Sequence, residues 1–299
     1  MKPLTILITG CTSGIGRHAA LHLASLGHRV FATGRNAAAL AELKASAPLT
    51  LETLTLDVTS AASIAAAKAA VDARTGGAGV DVLVNNAGYG LLGPTEMISD
   101  EEMRAQYETN VFGLMAVTRA FLPAMHARGS GRIVNISSIG GLMTLPFFGV
   151  YNSTKYAVES LSDGLRLELA PFGIKVSLVE PGVIDTGFTD RSMQEIARFR
   201  RPDSPYAPVL DRADEMRRMS DLTAVGPACI SRAIERAATD RRPRARYLAP
   251  FRAVLSMMFI KRLPTSLADW LMRQAVGLTA RRFARLASAP VAALPAGSR

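Results

Sequence analysis

The chain has 299 residues, 48% hydrophobic and 20% charged, with a net charge of +10 and two cysteines. Such a balance describes a folded chain with room for a real core and excludes disorder, while Cys11 and Cys229 supply no disulfide framework. The charge is uneven: residues 1–190 hold 14 Lys+Arg against 16 Asp+Glu, and residues 191–299 hold 21 against 9.

A basic last third can meet anionic lipid, nucleic acid or an acidic partner, or simply carry solvated arginines. Few aromatic residues accompany the basic ones and no nucleic-acid motif is present, which argues against nucleic acid. Residues 1–10 run straight into a strand and no apolar run reaches the ~18 residues of a membrane span. The expectation is a cytoplasmic protein, with peripheral membrane contact through the basic tail left open. His18 and His22 lie four apart on a helical stretch without a third ligand, so they read as structural and no metal site is expected.

In chain order, residues 4–9 (LTILIT) are a short β-branched run suited to a buried parallel strand. Gly10-Cys-Thr-Ser-Gly14-Ile-Gly16 follows and leads into a helix through Leu26. Glycines at that turn allow tight backbone and close approach of a phosphate, which the helix N-terminus then attracts. The second strand, 28–33, ends at Gly34-Arg35 with no acid at its tip. An acid there bonds the ribose hydroxyls of NAD, whereas an arginine accommodates the extra phosphate of NADP, so NADP(H) is favoured over NAD(H). The alternative leaves Arg35 as a solvated turn residue.

A helix over 37–45, a third strand at 51–56 ending at Asp57-Val58, and a helix over 60–74 come next. The fourth strand, 80–84, delivers Asn85-Asn86-Ala87-Gly88 at its carboxyl end, where open parallel sheets bind ligands. Residues 100–128 read as one long helix containing Asn110, which is either a structural lock or part of a relay. The fifth strand, 132–136, runs into Ser137-Ser138, and a helix carrying Tyr151 and Lys155 extends to Ala170. The sixth strand, 175–179, is closed by Glu180-Pro181-Gly182. Repeated strand–helix units of this length make a Rossmann-type doubly wound parallel sheet with helices on both faces, in a single domain.

Tyr151 and Lys155 fall on one helical face, where an ammonium would pull a phenol from about pH 10 toward neutrality and fit it for acid–base work. Ser138 would bond the same substrate oxygen.

Taken together, TGCTSGIG, Asp57, NNAG (85–88), Asn110, Ser138, Tyr151 with Lys155, and PGVIDT (181–186) resemble the short-chain dehydrogenase/reductase family across residues 4–186. The stretches GGLMTLPFFGVYNSTKYAVE and LELAPFGIKVSLVEPGVIDT look most like its 17β-hydroxysteroid and retinol dehydrogenase branch.

The resemblance implies that Gly10, Ser13, Gly14, Ile15 and Gly16 cradle the pyrophosphate, Arg35 meets the 2′-phosphate, and Asp57 and Val58 meet the adenine. Asn86, with Ala87 and Gly88, would set the central strand and the cofactor ribose, and Pro181, Gly182, Val183 and Thr186 would border the nicotinamide. Tyr151 would be the acid–base, Lys155 its partner and a ribose ligand, Ser138 the carbonyl-polarising group, and Asn110 the anchor of a water relay. It also implies pairing into a homodimer or homotetramer.

Ile139, Leu145, Phe148, Val183 and Phe188, beside Ser138 and Tyr151, would line an apolar pocket for a small hydrophobic substrate. All four histidines precede Ser138, so none is placed to grip a far steroid hydroxyl. An NADP-binding sensor or scaffold is the competing reading, against which the intact Ser138–Tyr151–Lys155 set argues.

Residues 187–225, with Pro202, Pro205 and Pro208, read as a lid over the site. In the 249–299 extension, Phe251, Val254, Leu255 and Met258 have helical spacing, and Ser266-x-x-Asp269 resembles a capping box opening another helix. That helix carries Trp270 and several arginines, and either lies in a membrane interface or packs on the body or a sister subunit.

Overall fold

The computed structural model describes residues 2–187, 195–201, 204–210, 224–251, 260 and 262–279. Its strands are β1 Thr5–Ile8, β2 Arg29–Gly34, β3 Leu51–Thr55, β4 Val82–Asn85, β5 Gly131–Ile136, β6 Ile174–Pro181 and β7 Arg246–Ala249. They form one parallel sheet in the order β3-β2-β1-β4-β5-β6-β7. The helices are α1 Gly14–Ser25, α2 Ala37–Ala45, α3 Ala61–Thr75, α4 Asp100–Tyr107, α5 Leu114–Arg128, α6 Gly149–Leu169, α7 Ala207–Leu210, α8 Ala228–Thr239 and α9 Thr265–Val276.

The central strands are mostly apolar because both faces are covered, and successive side chains alternate between the two layers. Ile6, Ile8, Val30, Ala32, Val82 and Val84 pack toward α1 and α8, with Leu23, Ile230 and Ile234 among their neighbours. Leu7, Phe31, Leu83 and Ile133 point the other way, toward Val71, Val117, Phe121 and Leu169 of α3, α5 and α6. His18 and His22 fasten the first layer. The former bonds Ser231 Oγ and the latter Glu235 Oε2, each at 2.7 Å, so both pin α1 to α8.

Three sequence expectations need correction. The stretch 100–128 is not one α-helix: Glu108–Gly113 is a π turn between α4 and α5, and Asn110 sits inside it. The extra residue of such a turn re-aims the side chains around it, which a 3.6-residue period cannot foretell. The strand β7 was not expected, because RYLA is four residues long and its arginine interrupts the apolar run. Finally, α9 does not open on Ser266. Its N-cap is Pro264, whose side chain makes no capping bond, so Ser266 already lies inside the first turn.

One polar rivet crosses the core beneath the site. Asn85 Nδ2 donates to Thr118 Oγ1 and to Asn135 Oδ1, both at 2.9 Å, and Asn135 Nδ2 donates to Ser162 Oγ at 2.8 Å. These four residues tie β4 and β5 to α5 and α6, and all are buried. Removing one member leaves its partners desolvated and unbonded, at about 1–3 kcal/mol each. Asn135→Ala is therefore expected to lose roughly 2–4 kcal/mol of stability in urea unfolding, whereas a loss below about 0.5 kcal/mol would mean that the network carries no strain-bearing bond.

Candidate active site

The strand order reverses between β1 and β4, and the crevice at the carboxyl ends of these strands is where an open parallel sheet holds a ligand. The turn after β1 is fixed there by side chains from β4. Thr9 Oγ1 accepts the N–H groups of Asn86 and Ala87 at 2.9 Å each, and Asn86 Nδ2 donates to the carbonyls of Thr9 (2.9 Å) and Gly10 (3.0 Å). Thr9 was absent from the expected set, and its only signal was its place at the strand end.

The cradle fits a phosphate because backbone, not side chain, faces it. A Cβ added at Gly16 would lie 2.3 Å from the Gly10 carbonyl oxygen and 2.4 Å from Asn86 Nδ2. Gly10 and Gly14 both take left-handed φ values, +72° and +56°. Ser13 is the N-cap of α1, with Ile15 in its first turn, so the helix N-terminus opens onto the cradle. Thr186 leans over the same turn, 3.3 Å from where a Gly14 Cβ would sit.

The tip of β2 lies beside the turn after β1. Gly34 is packed against Thr12, and Arg35 beyond it is exposed. The Thr59 amide and hydroxyl, helped by Arg35, hold the Asp57 carboxyl below its usual range. Arg35 acts electrostatically on Tyr89 as well, opposing the upward push of burial on that phenol. Val58 is buried against the π turn, where a Gly113 Cβ would come within 2.8 Å of it.

Ser138, Tyr151 and Lys155 are brought together at the end of β5. Ser138 caps the short turn 139–141 by accepting the Gly140 N–H at 3.0 Å, and it hydrogen-bonds Tyr151. Lys155 Nζ lies 5.8 Å from the Tyr151 ring centroid and donates to the Ile136 carbonyl at 2.9 Å. Asn110 serves as a lock through its side chain. Its Oδ1 accepts the Tyr89 N–H at 3.1 Å, and its Nδ2 donates to the Tyr89 carbonyl at 2.9 Å and to Thr154 Oγ1 at 3.1 Å. Gly88 is sandwiched between the two, since a Cβ there would sit 3.0 Å from Asn110 Oδ1 and 3.8 Å from Lys155 Nζ.

The electrostatics differ from the sequence expectation in one respect. Burial pushes the Tyr151 phenol up to about 12, only partly offset by the Ser138 bond, and pushes Lys155 down to about 8, with Glu159 opposing. Without further positive charge, the lysine does not bring the phenol toward neutrality, because desolvation outweighs it.

Apolar residues roof this pocket. Phe148 packs with Leu91, Leu92, Phe147, Val150 and Tyr151, joined by Ile196, Phe199, Val209 and Leu210 from the segment expected to be a lid. Phe199 fills the space a Gly93 side chain would need, 2.3 Å from that Cβ position. Polar bonds flank the plug: Tyr206 Oη donates to Glu96 at 2.7 Å, and Arg198 pairs with Glu102. Phe147 holds φ +69°, rare for a residue with a side chain, while its carbonyl accepts the Gly93 N–H at 2.9 Å. Ile139 is buried in the turn after Ser138, whereas Leu145 is half-buried and outside this cluster. Val183 is half-buried and its carbonyl accepts the Val225 N–H at 3.2 Å, in the stretch that follows Pro181 and Gly182. Phe188 lies outside the described residues.

Beneath the site, Glu159, Asp163 and Glu180 surround Arg246 of β7. The guanidinium lies 3.1 Å from Glu159 Oε2, 2.7 Å from Asp163 Oδ2 and 3.2 Å from Glu180 Oε1. Sequence reasoning missed this cluster, although Glu159 follows Lys155 by one helical turn. Burial, with repulsion from Glu159, pushes the fully buried Glu180 up to about 8. A carboxyl that holds its proton more tightly folded than unfolded costs nothing below its ordinary value and destabilises progressively as pH rises through the folded one. Glu180→Gln should therefore gain thermal stability over the parent between about pH 5 and 8. An offset identical at both ends of that range would contradict the assignment.

Comparison with known proteins agrees with this geometry. The family model for short chain dehydrogenase matches residues 4–197. A 3-ketodihydrosphingosine reductase of Bacteroides thetaiotaomicron is 35% identical over 281 residues, covering 91% of this chain and 98% of its own. Human 17-beta-hydroxysteroid dehydrogenase type 1 is 43% identical over 200 residues, 64% of this chain and 60% of that one. A short-chain dehydrogenase structure from Streptomyces avermitilis superposes with a TM-score of 0.74 at 34% identity, covering 93% and 98% of the two chains. Two further structures hold nicotinamide cofactors. A serine dehydrogenase with NADP+ has TM-score 0.70 and 29% identity over 82% of this chain and 94% of that one. A Burkholderia phymatum enzyme with NAD has TM-score 0.73 and 27% identity over 88% and 96%. With a matching family model over most of the chain and near-full-length relatives, the protein belongs to the short-chain dehydrogenase family.

Proposed function

We propose that this protein transfers hydride between NADP(H) and a hydrophobic secondary alcohol or its ketone, with a lipid-, steroid- or retinoid-like body. One observation carries the reading: Ser138 and Tyr151 bond to each other under an apolar roof, with Lys155 one turn along and the glycine cradle beside them. The nicotinamide, when bound, accepts or supplies the hydride.

The chain supplies the rest. Ser138 and Tyr151 exchange their mutual bond for a shared one to the substrate oxygen, and both donate to it as negative charge develops there. Tyr151 then gives its proton to the nascent alkoxide in reduction, or receives one in oxidation. Lys155 stands as the nearby cation that favours the phenolate, and it needs help from the oxidised ring's positive charge to overcome the burial of Tyr151. Leu91, Phe148 and Phe199 exclude water, which strengthens each of these interactions.

Arg35 beyond a bare Gly34, with no acid at the strand tip, supports NADP(H) as the preferred cofactor. Gly10, Ser13, Gly14, Ile15 and Gly16 fit the pyrophosphate, Asp57 and Val58 the adenine, Asn86 through Gly88 and Lys155 the ribose, and Pro181 through Thr186 the nicotinamide side. The relative that aligns along nearly its whole length is named for 3-ketodihydrosphingosine, which supports a lipid ketone. We read the 299 residues as one catalytic domain with residues 187–225 as its lid. Exposed Phe112, Tyr156 and Leu167 on the π turn and α6 support pairing of two copies through those elements. No described helix is long and apolar enough to cross a membrane, and we read the protein as cytoplasmic with peripheral membrane contact.

Tyr151→Phe should lower ketone reduction with NADPH on the order of 10²–10⁴-fold while leaving NADPH binding and the melting temperature unchanged. Unaltered turnover would rule out the acid–base role. Arg35→Ala should weaken NADPH about tenfold and leave NADH unaffected, measured by fluorescence titration. Equal loss for both coenzymes would remove the basis for the NADP preference.

A further inference from the structure

On the edge of the sheet away from the glycine cradle, α8 and β7 enclose a cleft of about 370 Å³. Its lining includes Arg232 and Arg236 from α8, one turn apart, with Arg244 and Arg246 from the β7 side. Arg246 is committed to Glu159, Asp163 and Glu180 on its inner side. The side chains of Arg232, Arg236 and Arg244 are exposed and have no acid or carbonyl partner among the described residues. Of the acids near them, Glu235, three residues along α8 from Arg232, is bound to His22, and Asp240, just past the end of α8, acts on Tyr247 and Arg132.

The other walls are apolar: Ala233, Leu248, Pro250 and Phe251, the last 60% exposed at the mouth. Three guanidiniums with no acid partner among the described residues, around a hollow of this size with apolar walls, match a phosphate ester joined to a hydrocarbon. Arg236 and Arg244 lie in the last turn of α8 and just before β7, so the charged end of the cleft is at the amino end of β7, with Cys229, Pro250 and Phe251 at its other end.

We propose that the cleft between α8 and β7 is a binding site for a phosphate ester, the chemistry that an acidic phospholipid presents at a bilayer surface. The site itself does not depend on the catalytic reading.

The test uses the full chain without coenzyme. Its co-sedimentation with phosphatidylcholine vesicles containing about one third phosphatidylglycerol is compared with binding to phosphatidylcholine alone, and its binding to glycerol 3-phosphate is followed by calorimetry. The variants are Arg232→Gln/Arg236→Gln/Arg244→Gln and, as a charge control, Arg104→Gln/Arg119→Gln on α4 and α5. At about one kcal/mol per arginine, loss of the three cleft charges should weaken vesicle binding about 100-fold with melting unchanged, while the control pair changes it little. Binding of glycerol 3-phosphate with the same dependence on the cleft arginines, but none to vesicles, would support the site and identify a soluble ester as its ligand. The proposal is overturned if neither ligand binds, or if the control variant loses as much affinity per charge as the cleft variant.

Discussion

Tyr151 and Lys155 stand one turn apart on the buried face of α6, and the same burial acts on them in opposite directions. It raises the phenol and lowers the ammonium to about 8, so in the free protein Tyr151 holds its proton while Lys155 stays largely charged near neutral pH. A general acid that has to hold its proton until substrate arrives is well served by this state. In the proposed reaction the proton becomes mobile only when charge is brought in beside the phenol, so chemistry would be conditional on an occupied crevice.

Much of the scaffold serves to hold that pair in register. Asn110 joins the loop after β4 to α6 through Thr154, directly before Lys155, and the π turn is the local distortion that brings Asn110 there. The Asn85–Asn135–Ser162 rivet fixes α6 to the strands that deliver Asn86 and Ser138. Below Lys155, Glu159 links the catalytic helix to Glu180 at the end of β6 and Arg246 on β7. An acid cluster held by Arg246, with Arg166 on Asp163 alone, is a poor source of stability by itself, since desolvation of the carboxylates competes with their attraction. Through Glu159, one turn from Lys155, it acts electrostatically on that lysine.

The sequence made the parallel sheet and the proximity of Ser138, Tyr151 and Lys155 legible, because their signals are local. Six strands announce themselves as short β-branched runs, and the glycines of the first turn sit where backbone contacts leave no room for a Cβ. Tyr151 and Lys155 follow from helical spacing alone. What escaped has a nonlocal cause. The seventh strand is defined by its partner β6, not by its own four residues. Thr9 matters through bonds to residues 77 and 78 positions away. The roof residues Phe199 and Leu210 look like ordinary loop hydrophobics until the chain folds them over Gly93 and Tyr151. The expected acidity of Tyr151 failed for a related reason: spacing gives the distance to the lysine but not the desolvation that competes with it.

The most direct test of this account is an ultraviolet difference titration of the Tyr151 phenol, comparing the parent with Tyr151→Phe in the presence and absence of NADP+. The account predicts that without coenzyme no phenolate assignable to Tyr151 forms below about pH 10, and that saturating NADP+ moves its ionisation down by several pH units toward neutrality. An ionisation of Tyr151 that is the same with and without NADP+ would contradict it.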